Sequence, residues 1–227
     1  MGGLRVSRKS LKEPDEFISF SSRLLKQALM HKTKILLGAG VLLGVLVLFS
    51  VINYFSNKSE NRGSLLLTRL MHQYDKAVTE KGPQKAYELV QPDIQMVIDN
   101  YAGKDCGKFA RLSAAHYSFR AGKFDGAAAL YLQAMNDFNS SPLLKNMAAF
   151  GLGYAYEAQK EYEKAVQLFE KLSGKPDMLM DDEALFTLGR LYGLLGKKDL
   201  QVKVLSQLSE KHPNSIYTEL ATNELAG

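Results

Sequence analysis

Proton transfer and metal ligation near neutral pH fall first to histidine, and the chain has four: His31, His72, His116 and His212. They are scattered, with no His-Glu-x-x-His pairing that would place two on one helix face. Cys106 is the sole cysteine, so neither an internal disulfide nor a cysteine metal knuckle can form. Its neighbour Asp105 brings no cation to depress the thiol, which predicts a small buried filler rather than a nucleophile. The run Asp181-Asp182-Glu183 sits where a helix should begin, a position where acidic charge complements the helix dipole and is normally solvated. Nucleophile elbow, P-loop and glycine-rich phosphate cradle are missing from the sequence. The chain is therefore expected to carry no catalytic residue, no metal and no cofactor, and not to be an enzyme.

The element that must position everything else is apolar. Residues 35–54, ILLGAGVLLGVLVLFSVINY, contain no charge, and 13 of these 20 are Leu, Ile, Val or Phe. As a helix rising roughly 1.5 Å per residue, they match a bilayer's hydrocarbon core of about 30 Å. The preceding 34 residues and the lack of a small-x-small site predict an uncleaved signal anchor rather than a cleaved leader. Gly40 and Gly44 form a GxxxG pair, which lets two membrane helices approach closely, and a homodimer through the anchor is the corresponding expectation.

Charge sets the orientation. Residues 1–34 hold eight Lys/Arg against three acids, whereas only Lys58, Arg62 and Arg69 follow within 20 residues of Tyr54. The positive-inside rule predicts a cytoplasmic N-terminus and an exported remainder, periplasmic in a bacterium with two membranes. The formal net charge of +5 could suggest nucleic acid, but residues 63–227 carry 19 basic and 20 acidic residues. Without a basic field, the exported part offers no phosphate-binding surface.

Before the anchor, Pro14, Asp15 and Glu16 suit a first helical turn, and Phe17, Phe20, Leu24, Leu25, Ala28 and Leu29 follow at helical spacing, predicting an amphipathic helix on the inner membrane surface. Residues 55–62 read as a polar linker. Beyond it all periodicity is helical. Leu66, Leu70, Tyr74, Ala77 and Val78 mark a helix ending before Gly82-Pro83, and Ala86 to Val90 mark a second that Pro92 interrupts. Asp105, Ser141-Pro142, Asp181 and Ser215 are expected caps at helix starts, with Gly122, Gly174 and Gly196 at helix ends.

Residues 109–134, 147–172 and 183–208 align without gaps at offsets of 38 and then 36, each reading as helix, short turn and helix. These segments resemble tetratricopeptide repeats. The leucine-glycine pair of that pattern is matched by Leu152-Gly153 and Leu188-Gly189, and loosely by Ala114-Ala115. Its tyrosine is matched by Tyr156 and Tyr192, its second-helix alanine by Ala127 and Ala165, with Tyr131 and Phe169 four residues on, and its terminal proline by Pro213. Arg111, Ala149 and Leu185 replace an aromatic, and Gln201 replaces the alanine in the last repeat. The expected fold class is all-α: one transmembrane helix followed by a tetratricopeptide-like helical-hairpin solenoid over residues 63–227, closed by residues 212–225.

The order of basic segment (1–34), anchor (35–54), linker (55–62) and repeat domain resembles the tetratricopeptide-like ancillary subunit of the bacterial Sec translocon, most closely over residues 98–134. The resemblance implies a bacterial inner-membrane scaffold that hands exported proteins to periplasmic chaperones. Its partners would be translocon subunits, chaperones or exported clients, with no nucleic acid among them. Residues 212–225 also look like helix starts of outer-membrane assembly and cell-division repeat proteins, so a scaffold for envelope assembly or division is the alternative.

In stacked repeats of this kind, the fifth and ninth positions of each first helix point into the concave surface. Here they are Leu112 and His116, Phe150 and Tyr154, Phe186 and Arg190, with Phe119, Arg120 and Met147 nearby. This predicts an aromatic groove, with two cations, for an apolar or amphipathic partner segment. The competing expectation is that the helices at 65–101 cover these side chains as ordinary core.

Overall fold

The structure, a computed structural model, describes residues 30–174 and 180–226. The amphipathic helix expected over residues 14–29 lies outside them. All regular elements among the described residues are helices: α1 (Lys32–Lys81), α2 (Pro83–Asn100), α3 (Asp105–Arg120), α4 (Phe124–Asp137), α5 (Pro142–Ala158), α6 (Tyr162–Leu172), α7 (Asp181–Leu194), α8 (Lys198–Lys211) and α9 (Ile216–Ala226). The chain divides into two compact units, Met1–Lys58 and Ser59–Gly227.

In the first unit the apolar stretch is helical, and side chains such as Leu42, Leu46 and Phe49 are more than half exposed. By length and composition, one helix among the described residues can cross a membrane. Gly40 and Gly44 both lie in it, and a Cβ on Gly44 would meet open space.

Residues 55–62, expected as a linker, are helical. Polarity alone does not break a helix, and the segment holds neither Pro nor Gly.

The second unit begins by packing the residue 59–81 part of α1. Leu67, Leu70, Tyr74 and Ala77 join Ala86, Val90, Ile94, Val97 and Ile98 of α2 and Ala110, Ala114 and Tyr117 of α3 in one buried cluster. Tyr74 stacks on Tyr117 with ring centroids 3.5 Å apart. Pro92 does not interrupt α2. Its exposed ring occupies the solvent side, while Val90 and Ile94, both almost fully buried, hold the helix against its neighbours across the missing hydrogen bond.

From α2 to α8 each helix packs on the next, and α9 lies on both α7 and α8. A second cluster joins α3, α4 and α5, and a third joins α5 through α9. The glycines of the leucine-glycine pairs explain the close crossings. A Cβ on Gly153 would sit 2.5 Å from the Phe169 ring, and one on Gly189 would strike Leu205. Phe169 and Leu205 are fully buried, so each fills the notch its own glycine leaves. In the first repeat Ala115 stands at the equivalent place and Tyr131 at that of Phe169, both in the second cluster.

The turns inside the repeats share one backbone conformation. Gly122 and Gly196 take φ of 74° and 70°, and at the equivalent place in the middle repeat Lys160 takes φ of 61°. That left-handed geometry costs a side-chain-bearing residue about 1–2 kcal/mol, so two repeats use glycine and the third bears the strain.

The caps depart from expectation in an informative way. Asp105 is the first residue of α3 and not its cap; it accepts a bond from Lys108 Nζ at 3.0 Å. Glu60 of α1 takes the capping role across the fold, accepting the Cys106 N–H at 2.7 Å. Ser141 precedes Pro142 at the start of α5 but makes no side-chain cap bond. Ser215 does cap α9, accepting the Tyr217 N–H at 3.1 Å.

Candidate partner-binding pocket

α5 begins at Pro142, whose fixed φ suits a first helical turn, and runs to Ala158. Leu143, Met147, Phe150, Gly151 and Tyr154 recur at i, i+4, i+7, i+8 and i+11, one face of that helix. This face meets His116 and Phe119 of α3, Tyr131 of α4 and Met180, just before α7, around a concave pocket of about 450 Å³. Five of the nine predicted groove residues line it: His116, Phe119, Met147, Phe150 and Tyr154. Residues 65–101 contribute nothing to this lining; their apolar side chains pack on Ala110, Ala114 and Tyr117 instead.

The lining is not uniformly accessible. Met147 and Leu143 are 46% and 50% exposed, and His116 is exposed as well. Phe150 is 3% exposed, its ring packed edge-on against Phe169 at a centroid distance of 5.4 Å. Phe150 therefore forms the floor and belongs to the core behind it. Tyr154 also leans on Phe169, and its hydroxyl donates to Glu183 Oε1 at 2.5 Å. Burial, then that bond, raises the Tyr154 phenol above its ordinary range, and burial pushes Tyr131 up to about 12. Both are neutral hydrogen-bonding groups at neutral pH. Burial, reinforced by the charge of Arg120, lowers the His116 pKa and favours the neutral imidazole.

The other four predicted residues lie elsewhere. Leu112 packs half-buried against the second cluster, and Phe186 meets Tyr217 with ring centroids 5.5 Å apart. Arg190 is engaged by both oxygens of Glu157, at 2.5 and 2.7 Å, which raises its pKa. Arg120 is exposed at the end of α3, four residues beyond His116 and hence on its side of the helix. The fifth-and-ninth spacing missed Leu143, Gly151, Tyr131 and Met180. Extending the α5 face one turn back would have found Leu143; Tyr131 and Met180 arrive only through the tertiary packing.

Groups with chemical potential elsewhere are structurally employed. Burial, then a hydrogen bond to Glu60, pushes the Cys106 thiol up to about 11, keeping it protonated. The acidic run is engaged within the fold rather than left to solvent alone. Asp181, 4% exposed, accepts the Gly174 N–H at 2.5 Å and lies 2.9 Å from His212 Nε2. Asp182 accepts from the Ser215 hydroxyl, and Glu183 from Tyr154. A larger pocket of about 630 Å³ at the α3–α4 turn is rimmed by exposed polar side chains such as Glu88, Gln91, Lys123 and Asp125, which makes it a solvated cleft.

Residues 30–176 match the model of the tetratricopeptide repeat-like domain family. The chain belongs to that family. Residues 183–215 match a further tetratricopeptide repeat model, which covers the repeat built by α7 and α8. No curated protein is a significant match. Among solved structures the chain is similar to the nearly identical TPR-like repeats of a Podosopora anserina protein described as kinesin light chain. The identity is 18%, the match covers 70% of this chain and 85% of that one, and the TM-score is 0.55. A single-substitution variant of the same repeats matches at 18% identity, 70% and 84% coverage and a TM-score of 0.56. At that identity the likeness carries the fold alone. Tetratricopeptide-like repeats are typically non-catalytic platforms for protein–protein interaction, and the all-helical solenoid here has that fold.

Proposed function

We propose that this chain is a membrane-anchored interaction scaffold that holds an apolar segment of a partner protein, acting in periplasmic export at the Sec translocon. The observation that carries the scaffold reading is the pocket between α3, α4 and α5, apolar and open through Met147, Leu143 and His116 in a tetratricopeptide-like solenoid. The export setting rests on the resemblance of residues 98–134 and on the order of basic segment, apolar helix and repeats. On this reading the helix carrying residues 35–54 anchors the chain in a bacterial inner membrane, with residues 1–34 cytoplasmic and 63–227 periplasmic. Gly40 and Gly44 would bring two anchors together.

A photoreactive residue at Met147 of the full chain, cross-linked in intact membranes, tests the setting. Translocon subunits, export chaperones or clients in transit are the expected products. Cell-division or outer-membrane assembly proteins in their place would move the scaffold to envelope assembly. Protease added to right-side-out spheroplasts should degrade residues 63–227; their protection would reverse the orientation.

A further inference from the structure

The rim of the α3–α4–α5 pocket carries an unbalanced charge. Of the arginines near the repeat surfaces, Arg111 is paired with Asp137 and Arg190 with Glu157. Arg120 forms no ion pair among the described residues, and its charge is felt by His116 on the pocket wall. Asp75, felt with Arg120 by Tyr74 and Tyr117, does not pair with it. The acids on the other side are already engaged: Glu183 by Tyr154, Glu157 by Arg190, Asp182 by Ser215 and Asp181 by His212. Among the described residues the pocket lining therefore holds no carboxylate, and Arg120 stands beside it as a cation without an ion-pair partner. The pocket's apolar walls are two helical ridges, His116 and Phe119 on α3 and Leu143, Met147, Phe150 and Tyr154 on α5, with side chains spaced three and four residues apart. Ridges of that spacing form a groove that accepts the ridge of another helix.

We propose that the pocket takes the apolar face of a partner's amphipathic helix carrying an acidic side chain, placed to pair with Arg120. This rests on the scaffold reading above and adds the charge and the conformation of the occupant. Apolar burial supplies the anchoring, and the carboxylate selects register and partner, as charge complementarity at a rim does.

The test uses the full chain in nanodiscs and fluorescein-labelled 14-residue peptides with Leu, Phe and Met at i, i+3, i+4 and i+7. One peptide carries Glu in its last turn, a second Gln, a third Lys, and a fourth keeps Glu but has a central Pro. Anisotropy should show the Glu peptide binding about tenfold tighter than the Lys peptide, with the gap narrowing as salt rises. Arg120→Glu should invert that order, and the Pro peptide should bind at least tenfold more weakly than its parent. Equal affinity for Glu, Gln and Lys peptides, or an unchanged order in Arg120→Glu, overturns the acidic selection. Equal binding of the Pro peptide overturns the helical occupant in favour of an extended one. Met147→Asp separates the two levels. If it abolishes binding while charge makes no difference, the pocket stands and this inference falls; if no peptide binds at all, both fall.

Discussion

The two sides of α5 use apolar residues for opposite purposes. On one side Gly153 admits the Phe169 ring, and Ala149, Leu152 and Ala155 close against neighbouring helices until almost nothing is exposed. On the other, Leu143, Met147 and Tyr154 border a pocket with only part of their surface covered. Phe150 stands at the boundary. Both sides are apolar, the packed one mostly small and the open one mostly large; what separates them is whether a large residue on the next helix is placed to fill the space. Phe169 and Leu205 fill the crossings, whereas the described residues around Met147 leave a pocket of about 450 Å³ unfilled.

Four substitutions break or sharpen this contrast, in falling order of effect. Phe150→Asp buries a carboxylate among Phe169 and Tyr154 and should cost at least about 4 kcal/mol, unfolding the repeats in thermal denaturation. Gly153→Ala drives a methyl group into the Phe169 ring, with an expected loss of about 1–3 kcal/mol read from denaturant midpoints. Arg190→Ala removes a two-bond pair that is partly exposed, at 31% for Arg190 and 19% for Glu157. Screening therefore limits the loss to about 1 kcal/mol. Lys160→Gly should stabilise, by about 1 kcal/mol or less, because glycine accepts the φ of 61° that lysine adopts under strain. That opposite sign would confirm that the middle turn copies its glycine-bearing neighbours.

Much of the fold is legible in the sequence because it depends on local periodicity. The helix end before Gly82-Pro83, the turns at Gly122 and Gly196, the cap at Ser215 and the notches at Gly153 and Gly189 all follow from residue type at a fixed offset. What is not legible depends on partners distant in the chain. Glu60 supplants Asp105 as the cap of α3 because two helices meet there, 46 residues apart. Pro92 is tolerated because Val90 and Ile94 are clamped by packing. Asp181 and Asp182 look solvated in sequence but are engaged by His212 and Ser215 of the α8–α9 connection.

The candidate site divides along the same line. Four-residue spacing puts Phe150 and Tyr154 on one face, and both line the pocket, but exposure depends on the depth of the neighbouring helix. Phe186 and Arg190 satisfy the same spacing and are occupied by Tyr217 and Glu157 from other elements.

The contrast between the packed and the open side of α5 can be read directly by thiol labelling. Single cysteines are introduced as Met147→Cys and Phe150→Cys in the full chain, where Cys106 is buried and slow to react. With both variants folded, a water-soluble maleimide should modify position 147 at close to the rate of an unfolded control and position 150 at least a hundredfold more slowly. Comparable rates at the two positions would contradict the account, placing Phe150 in the open groove or Met147 in the core.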